Sequence, residues 1–284
     1  MATPAKPAPE LAGRFVLASY SNDSGTRAYK TYIPARGEGQ ARPLVVMLHG
    51  CKQTPDDFAA GTRMNELADE IGFIVVYPEQ GAAANVSRCW NWCEPDNQQR
   101  DDGEPSLIAG ITRAVIARYN VDPRRVYVAG LSAGGAMAAI MGHTYPDLYA
   151  AVGIHSGLPY AAARDLPSAL IAMRGWSAPA GPRDAVPTIV FHGDGDTTVH
   201  PRNGEQVFTS EMVENGEESG RKYTRTVQVD FSGKPALEHW LVHGAGHAWS
   251  GGSAKGSYTD PQGPDATRAM LRFFLPAGPT ESAR

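Results

Sequence analysis

An apolar run, Val126-Tyr127-Val128-Ala129, stops at Gly130-Leu131-Ser132-Ala133-Gly134, and a small-residue stretch suited to a helix follows at once. Gly-x-Ser-x-Gly between a buried strand and a helix demands a turn so sharp that its flanking positions tolerate almost no side chain. Glycines 130 and 134 meet that demand, and the turn lifts the Ser132 hydroxyl clear of the sheet edge. Ser132 is therefore the candidate nucleophile. A glycine-rich turn with an incidental serine looks the same in isolation, so the rest of the chain has to decide.

A serine hydroxyl is a weak nucleophile until a histidine takes its proton and a carboxylate orients that histidine, and in this kind of fold they follow in the order Ser, Asp, His. Downstream, Thr188-Ile189-Val190-Phe191-His192 reads as a buried strand running into the acidic loop Gly193-Asp194-Gly195-Asp196. Asp196 is the expected orienting carboxylate, because the strand ends near His192 and a few loop residues are needed to reach back to the elbow. Asp194 is the runner-up. Glu238-His239-Trp240-Leu241-Val242-His243 alternates like a strand and opens into Gly244-Ala245-Gly246-His247, which offers His247 at a loop tip as the base. Of the other histidines among the eight, His239 and His243 fall within that strand, His143 on the helix after the elbow, and His192 before the acidic loop. These are expected to be packed or surface residues.

Upstream, Pro43-Leu44-Val45-Val46-Met47-Leu48 is an apolar strand ending in His49-Gly50-Cys51. A loop there can aim one backbone N–H at a developing oxyanion, with a second supplied by the residue after the nucleophile. Cys51 and Ala133 are the candidate donors, through their amides and not their side chains.

Strands are predicted at 15–20, 28–33, 44–49, 73–77, 126–131, 151–155, 188–192, 226–231 and 238–243, and helices at 56–71, 105–119, 135–145, 203–215 and 264–274. On the 105–119 helix Leu107, Ile108, Ile111, Val115, Ile116 and Tyr119 share one face, and Asp101, Asp102 and Glu104 stand at its start, where the helix dipole favours acids. Strands alternating with helices imply an α/β fold with a mostly parallel sheet covered on both faces and an antiparallel pair at the N-terminal edge.

The 284 residues read as a single domain over 11–278, flanked by a disordered leader (1–10) and a tail (279–284), with no linker or repeat between. A net charge of −4, with 20% charged residues and no basic run, argues against a nucleic-acid partner. The apolar stretches fall short of the roughly twenty residues of a membrane span. The N-terminus lacks the apolar core of a signal peptide.

Five segments together resemble the poly(3-hydroxybutyrate) depolymerase esterase family: Leu48-His49-Gly50-Cys51-Lys52-Gln53-Thr54, Cys89-Trp90-Asn91-Trp92, Arg100-Asp101-Asp102-Gly103-Glu104, Gly130-Leu131-Ser132-Ala133-Gly134-Gly135 and Gly246-His247-Ala248-Trp249-Ser250-Gly251-Gly252. That family is similar in turn to feruloyl and acetylxylan esterases. The resemblance implies an α/β-hydrolase fold and ester cleavage without metal or cofactor. It sets nucleophile, acid and base on Ser132, Asp196 and His247, and the oxyanion loop on His49-Gly50-Cys51. Extracellular members usually add a polymer-binding domain, and none follows residue 274, which shifts the expected substrate toward amorphous polyester, soluble oligomers or another short-acyl ester. Feruloyl or acetylxylan-type esters of the plant wall are the alternative.

Three cysteines suit one disulfide plus a free thiol, or three thiols; Cys89 and Cys93 are close in sequence, but the family-like loops favour Cys51–Cys89 and, with it, a secreted or periplasmic location over a cytoplasmic one. No paired Cys/His spacing of a zinc site is present. His49, Trp90, Trp92 and Trp249 are expected to bind substrate beside the site, and residues 157–184 to form a cap or pocket wall. A catalytically silent α/β-hydrolase serving as a binding module is the competing class, and a peptidase is less favoured. The oligomeric state stays open.

Overall fold

A computed structural model describes residues 13–37, 39–176, 186–205, 212–230 and 233–275. In chain order its elements are β1 (Arg14–Asn22), β2 (Gly25–Ile33), β3 (Arg42–Leu48), α1 (Pro55–Thr62), α2 (Met64–Ile71), β4 (Ile74–Pro78), α3 (Gly103–Arg118), β5 (Val121–Leu131), α4 (Ala133–Thr144) and β6 (Ala151–His155). These are followed by α5 (Leu166–Met173), β7 (Thr188–Gly193), α6 (Arg202–Glu205), β8 (Met212–Glu218), β9 (Arg221–Val229), β10 (Pro235–Val242), the short β11 (Trp249–Ser250) and β12 (Thr259–Asp260), and α7 (Ala266–Phe274).

One 10-stranded sheet has the order β1-β2-β4-β3-β5-β6-β7-β10-β9-β8, parallel from β4 through β10. Strands covered on both faces read as unbroken apolar runs, and every residue of β3, β4 and β6 is buried. The period-2 alternation sorts their side chains between two cores: Val45 and Met47 pack with Phe58, Phe73 and Phe191, while Leu44, Val46 and Leu48 pack with Ile108, Val128 and Met137. From β3 the chain steps outward to β4, then returns through β5 to β6 on the other side. A crevice therefore opens beyond the carboxyl ends of β3 and β5, the place where ligands bind in such sheets. His49-Gly50-Cys51 ends the first of those strands and the elbow ends the second.

Three sequence expectations change. The helix expected over 56–71 is broken at Arg63, which takes a left-handed φ of 58°; the bend lets Phe58 of α1 and both Met64 and Leu67 of α2 reach the same core. Of the helix expected over 203–215, the described residues are helical at Arg202–Glu205, and Met212–Glu218 is instead an edge strand paired antiparallel with β9. Ser219 (φ 53°) and Gly220 (φ 91°) close that hairpin with two positive-φ residues, the turn whose twist matches paired strands, so backbone pairing outweighed helix propensity. The sheet consequently has antiparallel pairs at both edges. The expected leader and tail, together with residues 177–184 of the expected wall, lie outside the described residues. Among the described residues no helix is long and apolar enough to cross a membrane.

Candidate active site

Ser132 stands between β5 and α4 with φ 58° and ψ −119°, a conformation that a non-glycine residue holds only where its surroundings enforce it. Its N–H donates to the His155 carbonyl (2.9 Å), and its own carbonyl accepts from the Ala136 N–H (2.9 Å). A Cβ at 130 would collide with the Gly134 carbonyl, and one at 134 with the Leu48 carbonyl. The two glycines are thus required by backbone crossing backbone, as the pentapeptide implied.

His247 reaches this serine from the loop after β10: its Nε2 lies 2.8 Å from Ser132 Oγ, and its Nδ1 lies 2.7 Å from Asp196 Oδ2. The Asp196 side chain is fully buried, and its Oδ1 accepts from the N–H groups of Thr198 (2.8 Å) and Val199 (2.9 Å). Burial alone would raise this carboxyl, but hydrogen bonds from His192 and His247 and the amide of Val199 outweigh it and hold the group well below the usual carboxylate range. An ionised Asp196 can only accept, so His247 keeps its proton on Nδ1 and presents a bare Nε2 to the serine. Asp194 is engaged elsewhere, accepting from His243 Nδ1 (2.8 Å) and the Gly244 N–H (2.6 Å). Three elements far apart in sequence therefore meet in a continuous Asp–His–Ser line.

The Ser132 end opens into a cavity of about 470 Å³ lined by Cys51, Ala133, Trp90 and Trp92 and, on the α5 side, Leu166 and Leu170. Among the described residues, no acceptor takes the Cys51 or Ala133 N–H. Cys51 and Cys89 form a disulfide, leaving Cys93 free. The loop carrying Cys89 and Trp90 is tied down further: Trp90 Nε1 donates to the His49 carbonyl (3.1 Å), and Glu104 accepts from the Asn91 N–H and Nδ2 (both 2.8 Å) and from Gln80 Nε2.

The family model for esterase PHB depolymerase matches residues 27–218. The chain belongs to this family. Ser132, Asp196, Cys51 and Ala133 fall within the matched residues, and His247 lies beyond them. The family assignment agrees with two relatives at 30% identity. Poly(3-hydroxyalkanoate) depolymerase C of Paucimonas lemoignei aligns over 81% of this chain and 60% of its own length, and feruloyl esterase B of Neurospora crassa over 89% of each. The probable acetylxylan esterase A of Aspergillus fumigatus is 29% identical over 64% of this chain and 53% of its own length. The chain thus spans only part of the depolymerase and the acetylxylan esterase. Among solved structures, the acetyl xylan esterase from Aspergillus awamori superposes with a TM-score of 0.70 over 91% of this chain and 98% of its own, at 20% identity. The fold is that of the α/β-hydrolases.

Two residues expected to bind substrate in this PHB depolymerase family member lie elsewhere. Trp249 is 1% exposed, donates to Thr267 Oγ1 (3.0 Å) and packs edge-on to Phe58, so it belongs to the core. The imidazole of His49 is buried behind the Gly50 carbonyl and lies outside the cavity lining. Trp90 lines the cavity from a buried position, whereas Trp92 is partly exposed there. Sequence reasoning missed three contributors. His155 supports the elbow through its carbonyl, and His192 Nε2 lies 3.4 Å from Asp196. Glu104, read as a helix-dipole acid, is buried under the Asn91 loop, and that burial raises its carboxyl. Only Glu104 carried a signal, its place in the Arg100–Glu104 family-like segment.

Proposed function

We propose that this chain is a serine esterase acting through an acyl-enzyme on 3-hydroxyalkanoate esters, either soluble oligomers or amorphous polyester. The observation that carries the proposal is the unbroken Asp196–His247–Ser132 hydrogen-bond line ending at an apolar cavity. Ser132 Oγ attacks the ester carbonyl while His247 Nε2 takes its proton. The amides of Cys51 and Ala133 receive the negative charge on the former carbonyl oxygen. Collapse breaks the ester C–O bond, and His247 returns the proton to the departing alkoxide. Water, deprotonated by His247, then attacks the acyl-serine and releases the acid and Ser132.

The preference for a polyester rests on the cavity mouth, where Val86, Leu166 and Leu170 line the opening and remain 91%, 67% and 54% exposed. These aliphatic side chains suit methyl-bearing hydroxyacyl repeats, while the exposed Ser87 and Glu94 in the same lining are the polar groups that a carbohydrate would need. Aromatic or acetyl esters of the plant wall form the second reading, favoured by the reciprocal 89% coverage with feruloyl esterase B. The Cys51–Cys89 bridge supports an oxidising compartment, secreted or periplasmic.

Hydrolysis of hydroxybutyrate oligomers, amorphous polyhydroxybutyrate, methyl ferulate and acetylated xylan, with Ser132→Ala as the blank, tests both readings. The oligomers are expected to turn over fastest, and faster cleavage of methyl ferulate would transfer the assignment to the second reading. A protein that hydrolyses none of them and resists fluorophosphonate labelling is a silent binding module.

A further inference from the structure

The His49 ring touches no reacting atom, yet both its nitrogens have partners of unambiguous polarity. Nε2 lies 3.0 Å from the Gln80 backbone N–H, which can only donate, and Nδ1 lies 2.8 Å from the Gly50 carbonyl, which can only accept. The ring is therefore neutral, with its proton on Nδ1. Burial favours the same state, pushing the imidazole down to about 4. A second proton on Nε2 would set N–H against N–H.

The carbonyl that His49 holds belongs to the peptide joining Gly50 to Cys51. In a trans peptide the C=O and N–H point in opposite directions across one rigid plane. Pinning the Gly50 oxygen toward the buried ring turns the Cys51 N–H the other way, toward the cavity that Cys51 lines with Ser132 and Ala133. The rest of the loop is held as well. The Gly50 N–H donates to Gln53 Oε1 (2.9 Å), the His49 carbonyl accepts from Trp90, and the Cys51 side chain is bonded to Cys89. None of those ties acts on the Gly50–Cys51 peptide plane itself, whose Gly50 carbonyl accepts a longer bond from the Gln53 N–H (3.3 Å) beside the shorter one from the His49 ring (2.8 Å).

We infer that His49 is a positioning residue that, as its Nδ1–H tautomer between the Gln80 amide and the Gly50 carbonyl, sets the Gly50–Cys51 peptide plane and so aims one oxyanion donor. The inference rests on the esterase reading above. It implies that His49 acts on turnover and leaves ground-state binding alone, since the oxyanion charge exists only in the transition state.

Kinetics on 4-nitrophenyl butyrate for the parent, His49→Ala, His49→Asn and Ser132→Ala test it. For His49→Ala, kcat is expected to fall on the order of 10²-fold, as when an oxyanion donor is lost, with KM within about twofold. Asparagine places its amide nitrogen near the position of Nδ1, so His49→Asn should recover about tenfold of that loss. A folded His49→Ala with the parent's kcat, or a loss appearing wholly in KM, overturns the inference. Activity in Ser132→Ala would instead overturn the esterase reading. If the variants do not fold, long-range proton–nitrogen NMR of the unmodified protein decides. A neutral His49 protonated at Nδ1 is expected at pH 7, and an Nε2–H tautomer or an imidazolium would refute the proposal.

Discussion

Ser132 combines a left-handed φ with a hydroxyl 2.8 Å from His247 Nε2, so backbone strain at one residue is what presents the candidate nucleophile. Replacing it with alanine removes one oxygen and leaves the turn intact. Ser132→Ala is expected to lower kcat on the order of 10⁶-fold, with the unfolding midpoint in urea essentially unchanged. Activity above a few per cent of the parent in clean protein would reject the assignment. The two aspartates separate equally well. Asp196→Asn should cost about 10⁴ in kcat, because an amide favours the wrong histidine tautomer. Asp194→Asn should cost far less, since Asp194 meets His243 and Gly244 and makes no bond to His247. The opposite ranking would assign the carboxylate to Asp194. At this scale the residue types and their order were readable in the sequence, whereas the choice between aspartates depended on which one the β10 loop meets.

The element that most shapes the cavity is the loop carrying Cys89, Trp90 and Trp92, which is fastened to the end of β3 by the Cys51–Cys89 bridge and to the start of α3 by Glu104. Closing a span of 38 residues is worth about 4 kcal/mol in the chain-entropy account of disulfides. Cys89→Ser should lose about that much stability in urea denaturation and should also lower kcat, because Cys51 carries an oxyanion donor. Equal loss in a variant that reports stability alone, with kcat intact, would separate the loop from the oxyanion geometry. The strands of the parallel core were legible as apolar runs. The break at Arg63 was not, because it answers to the core beneath α1 and α2; strand β8 was not either, although β9 follows it directly after the Ser219–Gly220 turn, because its mostly exposed edge residues carry no apolar alternation.

Over the whole molecule, buried imidazoles set the expected pH response. Burial pushes His49 and His239 down to about 4 and His155 to about 3. In the unfolded chain each takes a proton below about 6.5, so between roughly pH 6.5 and 4 the unfolded state binds more protons and stability falls as pH falls. Each contributes up to about 1.4 kcal/mol per pH unit, and the three together about 4. Asp196, with its depressed carboxyl, adds loss of the same sign at still lower pH, while the raised Glu104 acts in the opposite sense. Urea midpoints measured from pH 7 to pH 5 should therefore drop steeply. A flat profile would mean that these imidazoles are charged in the native state.

The elbow, the apolar parallel strands and the order serine, aspartate, histidine follow from the sequence alone, because glycine-only backbone crossings and side-chain period are local properties. Which faces meet is not local. Trp249 and His49 share the vicinity of the site with Trp92, yet the first is turned into the core by α1 and Thr267, and the second is turned behind its own loop by the Gln80 amide. A side chain's partners across a sheet are set by register and crossover, and only the tertiary structure decides those.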